Sequence, residues 1–341
     1  MTFTLRSQLS FGILLSLLCL PVVSAEHNTT EQPVVWLHKM DQALDQHSFS
    51  GRFVHVMGNK IRSLQLLHTQ INGDTYERLT HLDGPKAEII RQGSKIYCYF
   101  PGHATIVLNQ PAKPQARLNT SPVSRNLNLP IPAIEAHYHL SQLPQDRIAG
   151  LKAIPIRLAP RDTHRYQYEF WLEAESGLLI KSSISTSKGE LLENFEFTQL
   201  ALNANLPISE FQAEHTAATA PANKTPPKDA QASSAVILPD WHAQWLPDGF
   251  IQTNMQINSP QQPHNPLAMK LFTDGLATFS IFIERLPANS ELLPSTTQGA
   301  TLSTSRWLDA KDHRYAATLL GEIPMQSARQ IIESITLVAA N

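Results

Sequence analysis

The spacing of hydrophobic positions changes along the chain, and each change predicts an element. In "PVVWLHKMDQALDQH" (33–47), Val34, Leu37, Met40, Ala43 and Leu44 recur at helical spacing behind Pro33, which predicts one amphipathic helix. The pattern then turns to alternation. "GRFVHVMG", "IRSLQLLHTQ", "TYERLTHLD", "AEIIRQG" and "SKIYCYF" read as short strands, punctuated by Gly58-Asn59-Lys60, Asn72-Gly73 and Asp83-Gly84-Pro85. That is the turn chemistry of an antiparallel meander.

A second meander follows. In "RDTHRYQYEFWL" (161–172), Tyr166, Tyr168, Phe170 and Leu172 point to one face, and Gln167, Glu169 and Trp171 to the other. "LLIKSSIST" and "ELLENFEFTQL" continue it, with Leu191, Phe195 and Phe197 sharing a face with Glu193. A sheet with one mostly apolar face covers something greasy: helices, a second sheet or a ligand. Between the meanders lies "NQPAKPQARLNTSPVSRNLNLPIPAIEAHYHL", rich in Pro and Asn and long for a plain connection, which predicts a functional loop with a short helix.

Composition changes the picture in two places. Residues 213–235, "AEHTAATAPANKTPPKDAQASSA", hold no Leu, Ile, Val, Met, Phe, Tyr or Trp. With nothing to bury they cannot offset the entropy of ordering, so they read as a linker. The division is then a large domain over 26–212 and a small one over 236–341. In the small domain "FTDGLATFSIFIERL" predicts a turn and a strand with Ala277, Phe279, Ile281 and Ile283 inward, "RYAATLLGEIP" another strand, and "SARQIIESITLVA" a terminal helix. The fold class expected is α+β.

The second place is the N-terminus. Arg6, the apolar run "FGILLSLLCL" and "VSA" (23–25) have the layout of a secretory signal covering 1–25, with an uncleaved anchor as the alternative. Cys19 leaves with that segment, Cys98 stays alone, and no internal disulfide forms. Net charge is −2 for the chain, and −3 once Arg6 is subtracted, which is no electrostatic footprint for nucleic acid.

Candidate chemistry is sparse. The chain has no G-x-S-x-G, H-E-x-x-H, P-loop, G-x-G-x-x-G or C-x-x-C. In "RDTHR" an Asp two residues before a His has acid–base potential, yet no nucleophile completes a set. The competing reading is a solvated start of a strand, with Arg161, Asp162 and Arg165 in local charge pairs. His137 and His139 would share a face if extended, but no spacing nominates a third metal ligand. Cys98 alternates away from Tyr97 and Tyr99 and reads as a buried, inert thiol. Trp241 and Trp245 read first as core, and with Phe250 they are the candidates for a partner anchor.

Several segments, in order, carry a resemblance. "PRDTHRYQYEFWLEAESGLLIKSSISTSKGELLENFEFTQL", "LDGPKAEIIR", "WLPDGF", "FTDGLATFSIFIE" and "GEIP" resemble the sigma-E regulatory proteins of the RseB/MucB family, and the chain departs from them mainly in its alanine- and proline-rich linker. The resemblance implies a large domain shaped as a half-open antiparallel β-barrel similar to the carriers LolA and LppX, with helices in its concave face, plus a small α+β domain. It implies a non-enzymatic periplasmic negative regulator without cofactors. Its partner would be the periplasmic part of a membrane-spanning anti-sigma factor of the RseA/MucA kind, which it would shield from the site-one protease. Lipopolysaccharide or another acylated lipid would release it and so turn on the envelope stress response. On this reading "RDTHR" lies at the rim, Tyr166, Tyr168, Phe170, Leu172, Phe195 and Phe197 line the lipid face, and Arg161 and Arg165 meet an anionic head group. Burying a fourteen-carbon chain would contribute roughly 11 kcal/mol gross, at about 0.8 per methylene. A lipid carrier is the alternative function, and the oligomeric state, homo-oligomer included, is left open.

Overall fold

A computed structural model describes residues 32–102, 105–109, 121–124, 127, 130–212, 240–253, 267–287, 289–310 and 313–338. The expected signal (1–25) and linker (213–235) lie outside the described residues. The expected first helix is α1 (Pro33–Gln46), and it buries Trp36, Leu37, Met40, Ala43 and Leu44. The first meander is β1 (Phe49–Met57), β2 (Lys60–Ile71), β3 (Asp74–His81), β4 (Glu88–Gln92), β5 (Lys95–Tyr99) and β6 (Ile106–Asn109). Asn72 and Gly73 both take positive φ at the β2–β3 turn, as Asn-Gly chemistry requires, and Gly58 does so at the first position of the β1–β2 turn.

The Pro-rich connection does hold a short helix, α2 (Ile131–His137), which runs straight into β7 (Tyr138–Gln142). Then come β8 (Asp146–Ile148), β9 (Leu151–Pro160), β10 (Gln167–Glu173), β11 (Leu179–Ser185) and β12 (Leu191–Leu202). All twelve strands form one antiparallel sheet, ordered β6-β5-β4-β3-β2-β1-β12-β11-β10-β9-β7, with β8 paired to β9. The order does not close on itself, which is the expected half-open barrel. β1 and β12 join the two meanders across a bulge at Arg52/Phe53.

Pairing fixes the inner face. Tyr168 stands opposite Leu158 and Ile184, and Phe170 opposite Ile156 and Ser182, with Phe195 next on β12. Phe53, Phe195 and Phe197 meet edge to face at 5.5–6.2 Å, beyond which Phe49 stacks on His68 at 5.0 Å. These residues and the buried side of α1 make one core. On the opposite side, a 3-10 turn at Ile208–Phe211 buries Phe211 against Tyr76, and Gln92 donates to the Phe211 carbonyl at 2.8 Å.

The second half has its own core. β13 (Trp241–Ala243), β14 (Ile251–Thr253), β15 (Leu267–Thr273), β16 (Thr278–Arg285), β17 (Thr296–Gln298), β18 (Thr301–Asp309) and β19 (Arg314–Glu322) precede α3 (Met325–Glu333) and β20 (Ile335–Leu337). Six of these strands form a sheet ordered β14-β15-β16-β19-β18-β17, and β13 pairs with β20. Phe279, Ile281 and Ile283 point inward as their alternation predicts. The terminal helix is shorter than expected. Ser334 donates its hydroxyl to Ile331 O at 2.8 Å and accepts from the Trp245 amide at 3.2 Å. That competition ends α3, and the β-branched Ile335 and Thr336 continue as strand.

Candidate functional site: the joint between the two sheets

Two turns of the small domain meet the start of β10. In "LPDGF", Phe250 N–H donates to Pro247 O at 3.2 Å and Gly249 sits at φ +83, which is a type II turn. A Cβ on Gly249 would collide with the His137 ring at the end of α2, so glycine is needed there for space as well as for φ. In "FTDGLA", Gly275 takes φ +102, and Asp274 Oδ1 accepts the amides of Leu276 (3.0 Å) and Ala277 (2.8 Å). This Asx turn aims the other oxygen, Oδ2, out of the small domain.

Arg165 fills the space between the turns. Its Nε donates to Asp274 Oδ2 at 2.7 Å, one terminal nitrogen donates to Asp162 and the other to the Asp248 carbonyl. Both Arg165 and Asp274 have 0% side-chain exposure. The guanidinium also lies 5.0 Å from the Phe250 ring. Tyr138 donates its hydroxyl to the same Asp274 Oδ2 at 2.8 Å. Burial, with the Asp274 charge second, pushes the Tyr138 hydroxyl well above the usual tyrosine range. Around this centre Tyr166 donates to Ile323 O (3.1 Å), Tyr168 to Glu322 Oε2 (3.4 Å), and His164 pairs Nδ1 with Ser327 Oγ (3.0 Å). Burial and the Glu322 charge raise Tyr166 to about 12. His164 also meets the Trp245 ring edge-on at 5.3 Å. Leu276 and Ala300, both from the small domain, are buried in the core of the large one.

These contacts correct part of the sequence reading. "RDTHR" leads into β10 and holds the expected Asp162–Arg165 pair, but it is not solvated throughout. Arg161 is exposed, but Arg165 is enclosed and paired, so it has no free donor edge for a lipid head group. The acid–base reading fails with it: Asp162 accepts the His164 amide and pairs with Arg165, while the His164 ring faces a serine of the other domain. Tyr168, Phe170, Leu172, Phe195 and Phe197 do share the inner face and are all buried, Tyr166 with them. Trp241, 1% exposed, is interior to the small domain as its first reading as core expects, and Phe250 is buried with it, which leaves neither as a surface anchor, whereas Trp245 is partly covered and touches the joint. His137 and His139 do not share an extended face, because α2 ends at His137. Among the described residues no group of three potential metal ligands occurs. Cys98 is buried, and burial pushes its thiol upward, away from reactivity.

Sequence reasoning missed Tyr138, Asp248 and Asp274. The signals for the two aspartates were the "PDG" and "TDG" turns, and Tyr138 carried none.

The fold and the joint define a class: a two-domain antiparallel sheet protein, with an apolar concave face closed by helices and by turns of its second domain. Residues 32–215 match the MucB/RseB N-terminal domain and residues 238–336 the MucB/RseB C-terminal domain; the chain belongs to the MucB/RseB family. It is 31% identical over 307 residues to the sigma factor AlgU regulatory protein MucB of Pseudomonas aeruginosa, covering 89% of this chain and 91% of that one. Over 332 residues it is 28% identical to the sigma-E factor regulatory protein RseB of Haemophilus influenzae, covering 94% and 95%. Among solved structures, MucB in complex with MucA(peri) superposes with a TM-score of 0.66 at 30% identity, over 91% of this chain and 100% of that one. MucB by itself gives 0.63 at 26% identity, over 89% and 97%. The family is regulatory rather than enzymatic.

Proposed function

We propose that this protein is a periplasmic negative regulator of a sigma-E type envelope stress response. It binds the periplasmic segment of a membrane-spanning anti-sigma factor and shields that segment from site-one proteolysis. The observation that carries the reading is likeness across both domains to MucB, which has been solved with MucA(peri). The signal-like 1–25 supports the compartment, and 26–212, 213–235 and 236–341 are its proposed working parts. The test adds the mature chain to the anti-sigma segment and its protease. Protection that rises with protein concentration supports the reading, and full cleavage at saturating protein refutes it.

An acylated lipid such as lipopolysaccharide is the proposed releasing ligand, taken by the face of Tyr168, Phe170, Leu172, Phe195 and Phe197, with Arg161 at the exposed margin. Leu276 and Ala300 occupy the same apolar core. An acyl chain entering there competes with the small domain's own side chains, which couples lipid to domain arrangement and, by linkage, makes partner and lipid weaken each other equally. That shared core favours a regulator over a free-standing carrier. Phe170→Glu should abolish release by lipid in a chain whose circular dichroism is unchanged; unaltered release would move the lipid site elsewhere.

A further inference from the structure

The two charged groups at the centre of the joint each hold a second partner on their own side. Arg165 has Asp162, three residues earlier in the same segment. Asp274 has the amides of Leu276 and Ala277 inside its own turn. Parting a buried ion pair is ordinarily costly because it leaves charges without compensation. Here separation admits water to both groups while each stays hydrogen-bonded at home. The other bonds across the joint, from Tyr138, Tyr166, Tyr168, His164 and the Arg165 terminal nitrogen on the Asp248 carbonyl, come from side chains that exchange protein for water at small net cost each. Residues 213–235, with no large apolar side chain, keep parted domains connected.

We infer that the Arg165–Asp274 joint is a reversible latch, and that Asp162 is the resting partner of Arg165 when it is open. The two domains then part as units. The latch belongs to this chain's own arrangement, whichever partner the chain serves. It assigns opposite effects to two carboxylates on one guanidinium. Asp274 meets Arg165 only in the closed form, so its loss favours opening. Asp162 meets Arg165 in both forms. Without it, the closed form still neutralises Arg165 through Asp274, whereas the open form leaves the cation with no carboxylate. Its loss therefore favours closure. Asn at 162 keeps an oxygen for the His164 amide, so the local turn survives the change.

The test uses the mature chain with Cys98→Ser and dyes on Lys95→Cys and Leu293→Cys, exposed sites on the large and small domains. Single-molecule energy transfer then reads the open-to-closed ratio. Tyr138→Phe removes a hydroxyl that donates to Asp274 and should raise the ratio about threefold. Asp274→Asn should raise it about tenfold or more. Asp162→Asn, placed in the Tyr138→Phe background so that an open population exists to be lost, should lower it about threefold. Circular dichroism checks folding, and if Asp274→Asn does not fold, the Tyr138→Phe and Asp162→Asn pair decides. Opposite directions for the two sides of the guanidinium support the latch. A rise or no change with Asp162→Asn, or no rise with Tyr138→Phe or a folded Asp274→Asn, overturns it.

Discussion

At one contact between the domains, Arg165 and Asp274 are both shut off from water and share their bonds with Tyr138 and the Asp248 carbonyl. At the other, the β17–β18 hairpin touches the tip of β1 and β2 in the open. There Lys60 donates to Gln298 at 2.9 Å, Gln298 faces the Met57 sulfur at 3.8 Å, and a cleft of ≈ 230 Å³ separates Leu191 from Thr297. Gly299 fits closely: a Cβ there would lie 3.2 Å from Met57 Cα. The two contacts are thus polar for different reasons. In the first, Arg165, Asp274 and Tyr138 have lost water and are satisfied by protein, so deleting one leaves its partners short of a bond. In the second, water replaces whatever is removed. The strength of the domain arrangement should accordingly sit in the first contact, with the second setting little more than alignment.

The largest expected effect breaks the enclosed contact directly. Arg165→Ala leaves Asp274 with its two turn amides and Tyr138 but no cation, and should cost about 3 kcal/mol in urea unfolding, the lower end for a broken buried pair because the joint can open and hydrate the carboxylate. A smaller loss, below about 1 kcal/mol, would mean water already reaches the joint. Next comes Gly249→Ala, which sets an L side chain at φ +83 and drives its Cβ into the His137 ring. Strain and overlap together should cost about 2–3 kcal/mol. His137→Ala should return the overlap part, and a double-mutant cycle with no coupling would show that the two domains do not meet there.

Much of this architecture was legible because its signals are local. α1 is written in the spacing of Leu37, Met40 and Leu44, and the β2–β3 hairpin in Asn72-Gly73. β9 was missed because "LKAIPIRLAP" is apolar on both faces and carries two prolines, so it shows no alternation. The C-terminal strand was missed because "IIESITLVA" keeps an apolar pattern through the point where Ser334 stops the helix. The inward face of Tyr168 and Phe170 followed from period two. The partner of Arg165 did not, because Asp274 lies 109 residues away and an Asp-Gly pair ordinarily marks an exposed turn. Alternation tells which face is buried; it carries no word on what buries it.

An intermediate effect tests the enclosed contact through protons. Tyr138 and Tyr166 hold theirs beyond the ordinary value of about 10, Tyr166 up to about 12. Above pH of about 10 the unfolded chain binds fewer protons than the folded one, so stability is complete below that pH and falls as pH rises toward the folded values. Urea midpoints should drop across that range in step with the appearance of phenolate absorbance. Tyr166→Phe should flatten the decline, and an unchanged slope would place the loss outside the joint.

The smallest effect belongs to the open contact, and it is the one that decides the comparison. Lys60→Ala removes a bond between two exposed side chains, where the long lysine gains in freedom what it loses in attraction, and water takes its place. Gln298→Ala removes both that bond and the weak approach to Met57. Each should shift stability by less than about 0.5 kcal/mol, and the double variant by no more than the sum. Ala300, which stays buried beside them, keeps the hairpin seated in either case. If the double variant instead costs more than about 1 kcal/mol, the hairpin shares the load with Arg165 and the domains are held at two points. In that event opening the latch would pivot the small domain about its hairpin rather than free it.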